Sequence, residues 1–152
     1  MVHTPSLLDE VKRDPLLFKV ASLAAGGAMH AAQLACEGVP SFGLIRPPGH
    51  HASPGSHWGF CFFNNMAIAV ERLIREGTLE RVLILDIDLH FGDGTDNFFQ
   101  GRSDVVVANI QEEERTTFLE KVAETMESSS FDLIVISAGF DRSRLDWRRS
   151  RR

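Results

Sequence analysis

Four short apolar runs, at residues 41–45, 82–85, 104–110 and 131–137, alternate along the chain with longer stretches of helical periodicity. The run at 82–85, Val-Leu-Ile-Leu, is apolar at every position, as in a strand buried on both faces. Residues 15–37 are dominated by Leu, Val, Ala, Gly and Met. They open on a proline and precede Gly38 and Pro40, which predicts one long helix. Its many small residues suit close packing on a sheet. A second helix is expected over 64–76, with Met66, Ile68, Ala69, Leu73 and Ile74 as the buried stripe and Gly77 as the stop. A short helix over 94–100 follows the central run. A Glu-rich helix over 112–128 carries Phe118, Leu119, Val122 and Met126. The order β-α-β-α-β-α-β, preceded by a helix, predicts an α/β fold of three layers, α/β/α, around a mainly parallel sheet.

Composition adds little to that pattern and removes several alternatives. A chain of 152 residues, 43% hydrophobic, can bury a core as one domain, expected over 1–147 with a basic tail at 148–152. No apolar run is long enough to span a bilayer, and no basic-then-apolar opening marks a secretory signal, so a cytoplasmic protein without membrane partners is expected. Cys36 and Cys61 are too few for a disulfide framework or a cysteine zinc site. The net charge of −5 is uneven: residues 142–152 hold six arginines and one aspartate, and removing that +5 leaves −10 for the remainder. An acidic body gives no basis for direct nucleic-acid binding.

The candidate chemistry lies at the ends of the apolar runs. Asp86, Asp88 and His90 follow the central strand at every second position, so in an extended segment all three project to one side. Gly92-Asp93-Gly94 then turns the chain. Two carboxylates and an imidazole converging at a strand end suit a divalent metal bound through oxygen and nitrogen. After the run at 41–45, two prolines and a glycine stiffen the backbone before His50 and His51, a rigid loop of the kind that positions chemistry. The run at 131–137 leads to Asp141. Ligands of open α/β sheets bind beyond the carboxyl ends of the strands, which would bring these groups to one edge. Asp88, His90 and Asp141 would form a three-ligand metal site open to water and substrate. The two histidines, backed by Asp86 and Asp93, would form a pair of His–Asp dyads in which each carboxylate fixes the tautomer of its imidazole. This is the equipment of metal-assisted hydrolysis without a nucleophilic Ser or Cys.

Four ordered motifs carry a resemblance: Arg46-Pro-Pro-Gly-His-His-Ala52, Gly59-Phe-Cys-Phe-Phe-Asn-Asn65, Asp86-Ile-Asp-Leu-His-Phe-Gly-Asp-Gly-Thr95 and Ser137-Ala-Gly-Phe-Asp141. Together they resemble the zinc-dependent histone deacetylase family, with its acetoin-utilisation proteins and acetylpolyamine amidohydrolases, on the arginase/deacetylase fold. The resemblance implies Asp88, His90 and Asp141 as ligands of Zn²⁺, for which Fe²⁺ competes. It implies His50 and His51 as tandem catalytic histidines, Asp86 paired with His50 and Asp93 with His51, and Gly59 and Phe60 on an acyl-lysine channel. It further implies K⁺ near the backbone of Asp86–His90, and acetylated lysine or an acetylated small amine as substrate.

Several features depart from the family. Phe91 stands where many relatives have a second His. The short connection after Ile110 leaves little room for a long channel-forming loop, which implies a more open entrance. The family's late oxyanion-binding Tyr has no counterpart, because the chain contains no Tyr. The strands expected after Asp141 and before the first helix are also missing, so the sequence reads as an incomplete copy of the domain. Two alternatives stay open: an inactive deacetylase-like remnant or binding module, and a ureohydrolase with two manganese ions on the same fold.

Overall fold

The computed structural model describes residues 14–111, 114–141 and 143. The expected basic tail at 148–152 and residues 112–113, in the short connection after Ile110, lie outside that set. The described residues group into two compact units, 14–79 with 93–100, and 80–92 with 101–111, 114–141 and 143.

The first unit is helical. Helix α1 (Pro15–Cys36) starts at Asp14, whose side chain accepts a hydrogen bond from the Leu16 N–H at 3.0 Å, with Pro15 in the first turn. It ends where Gly38 takes a left-handed φ of 83°. Its buried face is alanine throughout: Ala21, Ala24, Ala25, Ala28 and Ala32. The larger Leu16, Phe18, Val20 and Leu23 are exposed. Helix α2 (Asn65–Arg75) packs on α1. Its buried set is Asn65, Ala67, Ala69, Val70 and Leu73. The expected stripe shares Ala69 and Leu73 with this set, while Met66, Ile68 and Ile74 are half-buried. The stripe is rotated because the close approach is made by small residues, Ala67 and Ala69, against a neighbour that is itself alanine-faced.

No strand forms over 41–45 among the described residues. Phe42 and Leu44 are 73% and 85% exposed, so their alternation finds no ladder to join. Helix α3 (Asp93–Phe98) completes the unit.

The second unit is a three-stranded parallel sheet in the order β2-β1-β3. Strand β1 (Val82–Asp86) is central and wholly buried, as its unbroken apolar run predicts. Strands β2 (Val105–Asn109) and β3 (Leu133–Ser137) flank it in register, with Asp86 opposite Asn109 on one side and Ser137 on the other. The Asp132 carboxylate clamps the start of the sheet by accepting hydrogen bonds from the Glu80 and Arg81 N–H groups, both at 2.8 Å. Helix α4 (Arg115–Glu127) connects β2 to β3 and buries none of its residues. Along β3, Leu133 and Val135 are buried while Ile134 and Ile136 are exposed. Of the apolar residues expected on the 112–128 helix, Phe118 and Val122 are half-buried and Leu119 and Met126 exposed. No helix among the described residues is long and apolar enough to cross a membrane, and both cysteines are free.

Candidate functional site

In the sheet unit, the chain leaves the extended conformation after Asp86 and bends through 88–90. Asp88 and His90 therefore do not meet by strand alternation. The Asp86 carboxylate accepts the Asp88 N–H at 3.0 Å, and the Asp88 carboxylate accepts the His90 N–H at 2.7 Å. Each aspartate thus caps the backbone two residues ahead, and the Asp-x-Asp-x-His spacing is itself the turn-forming element. Gly92 closes the turn against Asp86 Oδ2 and donates its N–H to Asn109 Oδ1 at 2.9 Å; any side chain at 92 would strike the buried carboxylate.

The parallel register between β1 and β3 sets the second half of the cluster beside the first. His90 Nδ1 lies 3.2 Å from Asp88 Oδ1 and 2.8 Å from Asp141 Oδ2. Asp141 Oδ1 also accepts the Leu89 N–H at 3.4 Å. One donor atom from each of Asp88, His90 and Asp141 lies within 4.8 Å of the others. Two ligands bound at about 2.0–2.1 Å to a tetrahedral ion stand roughly 3.3 Å apart, so the observed separations suit a shared cation. Gly139 packs against Asp88 Oδ2, and a Cβ there would occupy the carboxylate's place. The two carboxylates are only 13–15% exposed, whereas His90 is half exposed. Oxygen and nitrogen donors, mostly shielded, with one open side, fit a divalent metal.

The helical unit holds the histidine pair. His50 and His51 stack with ring centroids 4.0 Å apart. His51 is buried, and its Nδ1 lies 2.6 Å from Asp93 Oδ1, the length of a charge-assisted bond in which Nδ1–H donates. An ionised Asp93 selects that tautomer and leaves Nε2 as the proton-accepting atom. The loop is tied down by groups whose roles sequence reasoning had not assigned. The Thr95 N–H donates to His50 O at 3.0 Å. Asn64 donates to Ala52 O and to Thr95 Oγ1, both at 3.0 Å, while its Oδ1 caps α2 by accepting from the Ala67 N–H. A Cβ on Gly94 would meet Ala52 N and O at 2.6 Å, so this glycine lets α3 start directly against the histidine loop. Asn before a helix and Gly-Thr opening one are visible cap signals; their long-range partners are not.

Gly59 and Phe60 both take left-handed backbones, with φ of 60° and 63°. The missing side chain of Gly59 leaves room for the His51 ring, whose Cδ2 a Cβ would strike. Phe60 is 75% exposed. The buried member of the 60–63 run is Cys61. Asp93 and the two histidines thus belong to the helical unit, and Asp86, Asp88, His90 and Asp141 to the sheet unit.

The parallel sheet carries a carboxylate–imidazole cluster beyond its strand ends, a donor set suited to a divalent cation, and the helical unit carries an aspartate-backed histidine. Residues 8–127 match the Histone deacetylase domain, and the chain belongs to that family. A probable deacetylase of Methanothermobacter thermautotrophicus is 47% identical over 104 residues, 68% of this chain and 31% of that protein. An acetylpolyamine amidohydrolase of Mycoplana ramosa is 38% identical over 102 residues, 66% of this chain and 30% of that protein. Among solved structures, the HDA15 HD domain aligns with a TM-score of 0.75 at 29% identity, over 84% of this chain and 47% of that one. An acetylpolyamine aminohydrolase from Burkholderia pseudomallei aligns with a TM-score of 0.71 at 29% identity, over 81% and 46%. The fold is the arginase/deacetylase fold in part, and the chain spans about a third of these curated relatives.

Proposed function

We propose that the protein acts in zinc-dependent removal of acetyl groups from acetylated lysine or an acetylated small amine. The observation that carries this reading is the Asp88–His90–Asp141 cluster, with its donor atoms within 4.8 Å of one another. A divalent cation held there supplies a Lewis acid for an amide carbonyl. His51 accepts a proton at Nε2, and Asp93 stabilises the resulting imidazolium through Nδ1. His50, stacked on His51, is the second proton-transfer group in this reading. Gly59 and Phe60 form the wall for the acyl-bearing side chain: Phe60 is held outward, beside a glycine that packs on the His51 ring.

The chain holds no Tyr, so the oxyanion hydroxyl implied by the family is not supplied by these 152 residues. The absence of one such donor lowers turnover by about 10²–10³.

Zinc content after exhaustive dialysis tests the metal site, and hydrolysis of an acetyl-lysine peptide and of an acetylated diamine tests the reaction. Wild-type chain is expected to retain stoichiometric zinc and both Asp88→Ala and His90→Ala to lose it. Equal zinc in all three would defeat the assignment. Retention of a pair of manganese ions would favour the ureohydrolase reading. Zinc binding without turnover on either substrate would leave a binding module.

A further inference from the structure

Asp93 receives two N–H groups, one on each carboxylate oxygen. Oδ1 takes the His51 imidazole at 2.6 Å, and Oδ2 accepts the Trp58 indole Nε1–H at 2.9 Å. The same indole lies on the imidazole, with ring centroids 3.9 Å apart and planes inclined by 30°. One side chain therefore contacts both members of the His–Asp pair. We propose that Trp58 is a positioning residue that locks the Asp93 carboxylate plane and, through it, the Nδ1–H tautomer of His51. This inference rests on the deacetylase reading for its catalytic meaning, though not for its geometry.

A half-exposed tryptophan stacked on a neighbour would by itself be an ordinary surface contact; Trp58 is 51% exposed. Two further observations set it apart. Its polar edge is directed at a carboxylate that already holds an imidazole, so the contact acts on a charged group at close quarters. Its backbone is also fixed: the Trp58 carbonyl accepts the N–H of buried Cys61 at 2.9 Å, across a turn in which Gly59 and Phe60 are both left-handed. That turn explains how an exposed ring is placed reproducibly over a buried histidine. A carboxylate bonded through Oδ1 alone can swing about its Cβ–Cγ bond, and a donor on Oδ2 removes that freedom. Free imidazole has no such constraint, so the tautomer of His51 reports whether the lock operates.

The test uses the ¹⁵N-labelled full chain without added metal, at a pH above the histidine titration range, in a Trp147→Phe background that leaves a single indole signal. The wild-type side chain is expected to show a pyrrole-like Nδ1 and a pyridine-like Nε2 at His51. Trp58→Phe, which keeps the ring and loses the donor, is expected to move both nitrogens toward the mixed-tautomer values, and Trp58→Ala further. Asp93→Asn should shift the Trp58 indole N–H. Unchanged His51 nitrogens in both Trp58 variants, with helix content retained, would overturn the proposal, as would an indole N–H indifferent to Asp93→Asn. In deacetylation assays Trp58→Phe is expected to lower kcat about tenfold with KM unchanged, the lower range for outer partners of a reactive group. A wild-type chain that deacetylates nothing defeats the functional reading, and the ring-nitrogen shifts then decide this one alone.

Discussion

Asp88 and His90 meet within a single turn in which the carboxylates of Asp86 and Asp88 each accept the backbone N–H two residues on. His51 and Asp93 meet across 42 residues, through a loop held by Asn64, Thr95 and the bare backbone of Gly94. The first cluster is a property of local chain chemistry, completed by one strand register that delivers Asp141. The second exists only when two distant segments are packed together. A local cluster should therefore lose its ligand without losing the fold, whereas a long-range one should fail with the packing that creates it.

The largest effect is expected at Gly94, where an added Cβ meets backbone atoms of Ala52 that have no flexible end to move. Gly94→Ala should destabilise the chain by about 3 kcal/mol, the upper range for overpacking, read as a shift in urea midpoint. At Gly139 the neighbour is the Asp88 carboxylate itself. Gly139→Ala should reduce zinc affinity by roughly 10- to 100-fold, as for loss of an outer partner of a metal ligand, with the urea midpoint of the metal-free chain nearly unchanged. If Gly139→Ala unfolds the chain as readily as Gly94→Ala, the contrast between local and long-range assembly is wrong.

A smaller and opposite effect is expected at Phe60, whose left-handed φ of 63° costs an aromatic residue on the order of 1 kcal/mol. Phe60→Gly should raise stability by about that amount, less the greater entropy of glycine in the unfolded chain, while raising KM for an acetylated substrate. The smallest effect concerns Asp132, whose carboxyl is held below the ordinary aspartate range by the Glu80 N–H and then by the Arg81 N–H. A depressed folded value means that its contribution is present above the unfolded pKa, about 3.9, and is lost as pH falls through the folded one. Asp132→Asn should therefore lower stability slightly at neutral pH and flatten the acid limb of the stability–pH curve below about pH 4, its difference from the wild type vanishing as the carboxyl protonates.

Particular elements show how far the one-dimensional pattern reached. The unbroken apolar run at 82–85 anticipated β1, and the proline-to-glycine span anticipated α1 within one residue of its end. The run at 41–45, Ser-Phe-Gly-Leu-Ile, is also expected as a strand and forms none, because a strand is defined by a partner and a local apolar pattern cannot supply one. The α2 stripe was displaced because size, which decides how closely helices approach, outweighs hydrophobicity at Ala67. Asp86, Asp88 and His90 stand out by their spacing, and Asp141 by its place after the run at 131–137. The reason offered for the first three, shared strand facing, was not the operative one, since side-chain capping of the turn replaces the strand after Asp86.

What the sequence by itself determined is the set of donors and the turn that gathers two of them, since an aspartate capping the residue two ahead needs no distant partner. It also carried the family resemblance, which the match over residues 8–127 bears out. Tertiary structure brings Asp141 to the Asp88–His90 pair and Asp93 to His51, as the resemblance implies, and it alone decided that Trp58 lies on both members of the His51–Asp93 pair. Each of these depends on strand register or on packing between segments far apart in the chain, and no periodicity within either segment records which partner it will meet.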